Sequence, residues 1–258
     1  MLRVDSLVKD FKHSRAVDGV SLHIEQDEIV GLLGSNGAGK STTFRMIIGM
    51  LKPNAGRVEF LDEDVSQWPM YRRCRAGMGY LAQEPTIFRD LTVEQNLLAI
   101  LEQLALSRRE RWRRCEQLLD EFGLQRIRKD VSARKSGGEK RRLEIARALI
   151  MEPRLILLDE PFAGVDPIAT GEIGEMIRGL KQRGIAVLLT DHDVASTLKT
   201  TNRAYIMDKG KLLFAGTPEQ VVADPLCRQV YLGDDFELKL PAASPSPPRA
   251  EPREDLNT

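Results

Sequence analysis

The chain has 258 residues, and its 38 Lys and Arg are balanced by 38 Asp and Glu for a formal net charge of zero. That balance argues against a dedicated nucleic-acid binder, which carries a basic excess, and the length suits one substantial α/β domain with a smaller appended subdomain. The cysteines, Cys74, Cys115 and Cys227, are odd in number and form no C-x-x-C pair, which argues against structural disulfides or zinc and for a reducing compartment. In chain order, Met1 to Asp5 lack a signal-peptide apolar region, and no apolar run approaches the length that spans a bilayer. The chain is therefore expected to be cytosolic and to reach a membrane only through partners.

Residues 1 to about 80 are expected to alternate short strands with one loop and its helix. The apolar run Glu28 to Leu33 reads as a strand, and Gly34-Ser35-Asn36-Gly37-Ala38-Gly39-Lys40-Ser41 follows as a glycine-rich G-x-x-x-x-G-K-[ST] loop with a helix opening at Ser41. Glycines let successive backbone N–H groups turn inward around a phosphate, and the helix N-terminus adds a favourable dipole. Lys40 is then placed to reach the β- and γ-phosphates, Ser41 to put its hydroxyl on Mg²⁺, and Thr42 to join the nucleotide contacts. The helix should end near Gly49, before Pro53.

Residues about 84 to 145 read as mostly helical. Leu97, Leu98, Leu101, Leu104 and Ala105 fall at helical spacing, as do Trp112, Cys115, Leu118, Leu119 and Phe122. Arg108, Arg109, Arg111, Arg113 and Arg114 read as a solvated face. Ser136-Gly137-Gly138-Glu139 precedes a helical stretch, Lys140 to Ile150, and admits two readings. One is a capping box; the other is a second phosphate contact, with the glycines admitting an anion to the helix N-terminus. A second set of donors exceeds what one nucleotide needs, so the second reading implies two chains closing head to tail over two ATP molecules.

Arg154 to Leu158 is a nearly continuous apolar run, as in a strand buried on both faces of a parallel sheet, and it ends in Asp159-Glu160. Two acids at the end of a buried strand need a cation, a partner or a ligand. Asp159 is the candidate to hold Mg²⁺ and Glu160 to orient or deprotonate an attacking water. Strands and helices return from Leu155 to Tyr205, and Pro241 to Thr258 is rich in proline, serine and charge and is expected to be disordered.

With these motifs in order, the chain resembles the ATP-binding subunit of an ABC transporter over about residues 1 to 236, leaving 237–258 as a tail. The resemblance implies a P-loop NTPase fold, α/β with a mixed-sheet core and an inserted helical subdomain at about 84–145. Gly34 to Ser41 match the Walker A loop, Gln83 the Q-loop glutamine, Ser136 to Glu139 the signature, Leu155 to Glu160 Walker B, and Pro161 to Asp166 the D-loop. His192 matches the switch histidine, and Phe11 stands where the family carries an aromatic that stacks on adenine. The implied roles are Glu160, His192 and Gln83 in catalysis and Ser41, Gln83 and Asp159 around Mg²⁺. ATP would contact Phe11, Gly34 to Thr42 and, from the other subunit, Ser136, Gly137, Gly138 and Glu139.

Within the family, Tyr80 to Arg89, Glu160 to Ile168, Thr190 to Val194 and Val230 to Phe236 resemble the lipopolysaccharide-export branch. That implies a homodimer beneath two membrane-spanning subunits, peripheral on the cytoplasmic face of the inner membrane, with no nucleic-acid partner. A branched-chain amino-acid importer ATPase and a soluble ABC ATPase are the rival readings. Ile87, Phe88 and Arg89 are expected to line the groove that receives a short helix of each membrane subunit. Ser35 and Lys135 depart from the commoner proline and leucine; Lys135 is expected either to point to solvent or to approach the nucleotide of the opposite subunit.

Overall fold

The computed structural model describes residues 1–12, 14–233 and 235–238, so the expected tail from Pro241 to Thr258 lies outside the described residues. The chain opens with β1 (Leu2–Phe11), β2 (Ser14–Ile24), β3 (Ile29–Gly34), α1 (Lys40–Ile48), β4 (Ala55–Phe60), β5 (Glu63–Asp64), α2 (Met70–Arg75) and β6 (Met78–Leu81). Three helices follow: α3 (Val93–Leu101), α4 (Arg108–Glu121) and α5 (Gly137–Leu149). Then come β7 (Leu155–Asp159), α6 (Pro167–Gln182), β8 (Ala186–Thr190), α7 (Val194–Thr200), β9 (Arg203–Asp208), β10 (Lys211–Gly216) and α8 (Pro218–Ala223).

The strands sort into two sheets. An antiparallel sheet has the order β2-β1-β4-β5, and a mixed sheet has the order β10-β9-β3-β8-β7-β6, parallel except for the β9–β10 hairpin. Side chains of β7 alternate between two cores, as the period of a strand requires. Leu155 and Leu157 pack toward α1 and the antiparallel sheet, with Phe44, Ile47, Leu2 and Val4; Ile156 and Leu158 pack toward α3, α5 and α6, with Leu97, Leu143 and Ile173. All four are fully buried, and each such side chain contributes about 1.5–3 kcal/mol of burial. This two-sided covering is what a run of leucines and isoleucines without alternation signals.

The helices stop and start where their caps dictate. Gly49 closes α1 in the left-handed conformation at φ 84°, and the 1% exposed Arg73 donates to the last carbonyls of the helix, Met46 O at 2.8 Å and Ile47 O. Burial pulls the Arg73 pKa down to about 10. Two expectations for the helical segment differ in detail. Leu104 and Ala105 lie past the end of α3; of the second group Cys115, Leu119 and Phe122 are buried in the core, Leu118 packs partly buried against it, and Trp112 is 37% exposed. The carboxyl ends of β3, β7 and β8 come to one edge, where ligands of open α/β sheets bind.

Candidate functional site

The turn from β3 into α1 is held open at the helix end. Gly39, at φ 101°, is the N-cap of α1, and no side chain caps the helix. A Cβ at Gly39 would sit 2.5 Å from Ala16 O, so only glycine permits this approach. The first N–H groups of α1 therefore point into a cleft of about 440 Å³ lined by Ala16, Asn36 to Thr42, Gln83, Glu160 and His192. Gly34 and Ser35 frame the loop from behind: their carbonyls accept from Lys40 Nζ at 2.7 and 2.9 Å, and Ser35 Oγ donates to Asp208 Oδ1 at 3.2 Å. Burial lowers the Lys40 pKa, and the charges of Glu160 and Asp159 oppose that shift.

Across the cleft, the end of β7 supplies the acids. Glu160 receives Gln83 Nε2 on Oε2 at 2.7 Å and faces His192 Nε2 with Oε1, also at 2.7 Å. The three residues assigned to catalysis from the motifs thus share one carboxylate. Glu160 itself sits at φ 50°, a left-handed conformation uncommon outside glycine, and its N–H donates to Thr190 O at 2.8 Å. Asp159 is 4% exposed; Tyr80 donates its hydroxyl to Oδ2 at 3.3 Å, and Oδ1 has no partner among the described residues. Burial raises the Asp159 pKa, and the Glu160 charge raises it further against the Tyr80 hydrogen bond. A buried carboxylate oxygen without a partner, beside a second acid, fits a divalent cation.

The other assigned residues are not brought into this cleft. Phe11 ends β1 at 49% exposure, with Lys9 Nζ 5.7 Å from the ring centre. Ser136 and Glu139 form a complete capping box for α5: Ser136 Oγ accepts from the Glu139 N–H at 3.2 Å, and Glu139 Oε2 accepts from the Ser136 N–H at 2.8 Å. The glycines between them have an intrachain reason that the motif alone did not reveal. A Cβ at Gly137 would lie 2.4 Å from Gly164 O in the D-loop, and one at Gly138 would lie 2.7 Å from the Ala169 Cβ on α6.

Within its own chain Lys135 does not take the expected solvent-pointing place. Its side chain is only 15% exposed, and Nζ pairs with Asp130 at 2.6 Å. An ion pair with a half-exposed partner is worth about 0.2–1 kcal/mol, so Lys135→Leu is expected to leave ATP-dependent dimerisation within about twofold in a Glu160→Gln background. Gel filtration at low and high salt checks this; a large, salt-sensitive loss would place the lysine at the nucleotide instead.

Sequence reading missed several contributors. Asp191, 3% exposed, accepts from the Phe162 N–H at 2.7 Å and the Asp193 N–H at 2.9 Å, which ties the His192 loop to the turn after Glu160. Ala16, on β2, lines the cleft and carries no motif, and Tyr80, in the stretch around Gln83, reaches Asp159 from β6 in a role that stretch did not announce. Of the three residues expected to line a groove, Ile87 and Arg89 line one cleft, and Phe88 is not among its lining residues. Ile87 is 7% exposed and packs into the helical core, while Phe88 is 43% exposed beneath the Arg147 guanidinium at 4.5 Å.

A glycine loop at a helix N-terminus facing two acids at the end of a parallel strand two places away in the same sheet defines a P-loop nucleotide hydrolase. Residues 17–163 match the family model for ABC transporters, and the chain belongs to that family as an ATP-hydrolysing component of transport. It is 51% identical over 238 residues to the lipopolysaccharide export system ATP-binding protein of Acidithiobacillus ferridurans, covering 92% of this chain and 99% of that protein. The protein of the same description from Haemophilus influenzae is 48% identical over 239 residues, with 92% and 99% covered. Among solved structures, an ATP-binding cassette of an ABC transporter in its ADP conformation superposes with a TM-score of 0.81 at 29% identity, covering 91% of this chain and 99% of that one.

Proposed function

We propose that the chain is the ATPase of a lipopolysaccharide exporter, acting as a homodimer beneath two membrane-spanning subunits on the cytoplasmic face of the inner membrane. The observation that carries this reading is likeness at about half identity over nearly the full length of relatives described as lipopolysaccharide export proteins. The relatives reported above are described neither as branched-chain amino-acid importers nor as soluble ABC ATPases. No helix among the described residues is long and apolar enough to cross a membrane, which agrees with attachment through partners.

In this reading the loop N–H groups and Lys40 bind the phosphates, and the exposed Phe11 ring offers a face to adenine. Ser41, Gln83 and Asp159 would hold Mg²⁺, which supplies charge neutralisation on the β- and γ-phosphates. Glu160, held by Gln83 and His192, orients the attacking water and takes its proton. Ser136 to Glu139 lie outside the chain's own cleft and serve the nucleotide of a second copy. ATP-dependent release of lipopolysaccharide from vesicles carrying the assembled transporter is the test. Turnover with no release of that lipid, against release of a different substrate, would overturn the export reading.

The membrane subunits would meet the segment after Gln83. A cleft of about 330 Å³ in this segment is lined by Glu84, Pro85, Ile87, Arg89, Ala133 and Lys140, and the Phe88 ring between two of these residues is exposed. Buried aromatic anchors in such interfaces are worth about 2 kcal/mol or more. Phe88→Ala is therefore expected to reduce recovery of the membrane subunits in co-purification by roughly tenfold, with ATP affinity of the isolated subunit unchanged. Equal recovery with parent and variant would remove Phe88 from the interface.

A further inference from the structure

Arg141, in the second turn of α5, is 5% exposed and engages five acceptors on three chain segments. Nε donates to Pro161 O at 3.0 Å; Nη2 donates to Asp159 O at 3.1 Å and to Glu160 O; Nη1 donates to Ala82 O at 3.1 Å and Glu144 Oε2 at 3.0 Å. A guanidinium has five N–H donors in a fixed plane, so every one is used. Glu144, 4% exposed, gives its other oxygen to the Thr86 N–H at 2.6 Å. Arg147, one turn further, donates to Thr86 O at 2.7 Å.

The three carbonyls of residues 159 to 161 converge on one cation because Glu160 turns left-handed at φ 50°. Such a conformation persists in a non-glycine residue only where its surroundings over-determine it. Gln83, whose amide holds the Glu160 carboxylate, directly follows Ala82. Both ends of the Gln83–Glu160 hydrogen bond are thus anchored to the same guanidinium.

We infer that Arg141 is a positioning residue for Glu160: it fixes the turn that aims the carboxylate into the cleft and, through Glu144, binds that turn to the segment carrying Gln83 and Thr86. The inference rests on the reading of Glu160 as the group that activates water. Lysine cannot replace the arginine, since a single ammonium offers three donors from one point and cannot span carbonyls of residues 159–161 and Ala82 together.

The test is steady-state ATP hydrolysis by the full chain assembled with its membrane subunits, with turnover expressed per site that binds a fluorescent ATP analogue. Arg141→Lys is expected to lower kcat per site by about tenfold or more, with KM for ATP within about twofold. A purely structural role would reduce the number of binding sites and leave turnover per site at the parent value, and that result overturns the inference. If Arg141→Lys does not fold, Glu144→Gln decides, because an amide has one acceptor oxygen for two donors. It should lower kcat per site by about threefold with KM unchanged, and a parent-like kcat overturns the inference. Glu160→Gln run alongside separates the two readings. Normal hydrolysis by Glu160→Gln removes the water-activating role, whereas an inactive Glu160→Gln beside a parent-like Arg141→Lys removes only the positioning role.

Discussion

Glu160→Gln is expected to lower ATP turnover by about 10²- to 10⁴-fold while ATP still binds, the range typical of losing a general base. Glutamine matches the shape of the side chain, and its amide oxygen can still accept from Gln83 Nε2, which now reaches Glu160 Oε2 at 2.7 Å. What disappears is the basic lone pair facing the cleft beside His192. The phosphate contacts lie on the opposite wall, in the loop and Lys40, and are untouched. Turnover at saturating ATP and titration with a fluorescent analogue read the two effects apart, and gel filtration should show an ATP-trapped dimer. Hydrolysis at the parent rate would falsify the assignment of Glu160 to the chemical step.

Lys40→Ala should act on the other quantity, weakening ATP binding by roughly 100-fold or more. Hydrogen bonds to charged groups are each worth about 1.5–3 kcal/mol, and one ammonium serving two phosphates supplies more than one of them. Lys40 is 7% exposed and already aligned along the loop by Gly34 O and Ser35 O, so little ordering is needed for it to reach a phosphate. Its charge also faces Asp159 and Glu160, and removal leaves two acids beside any incoming anion. Calorimetric titration of ATP onto the isolated chain measures the loss; parent-like affinity would show that the backbone cradle suffices.

Much of the α/β fold could be read from local pattern. The run Leu155 to Leu158 announced a strand covered on both sides, and Gly49 ends α1 where the sequence placed the stop. The separation of β1, β2, β4 and β5 into their own antiparallel sheet was not legible, because pairing partners are set by tertiary contacts rather than by strand pattern. The same limit governs the site. Gln83, Glu160 and His192 carry motifs and converge, whereas Arg141 stands in the charged run Lys140-Arg141-Arg142 and reads like a solvated helix face. Only the meeting of α5 with the turn after β7 shows that it is buried. Ser136 to Glu139 showed the opposite ambiguity: the capping box is formed, yet the glycines are demanded by Gly164 and Ala169. Neither constraint excludes a further role toward a second chain.

The alternation of β7 between two cores has a consequence for how the catalytic machinery can change over evolutionary time. Leu155 and Leu157 belong to one core and Ile156 and Leu158 to the other, and Asp159 pairs with Thr190 at the end of the same ladder. A one-residue slip of this strand in its register would exchange the residues of the two cores and swing Asp159 to the opposite face with them. The strand therefore works as a ruler whose parity serves folding and chemistry at once. Substitution of one apolar residue by another leaves that parity intact, so this segment can drift in composition while its register stays frozen.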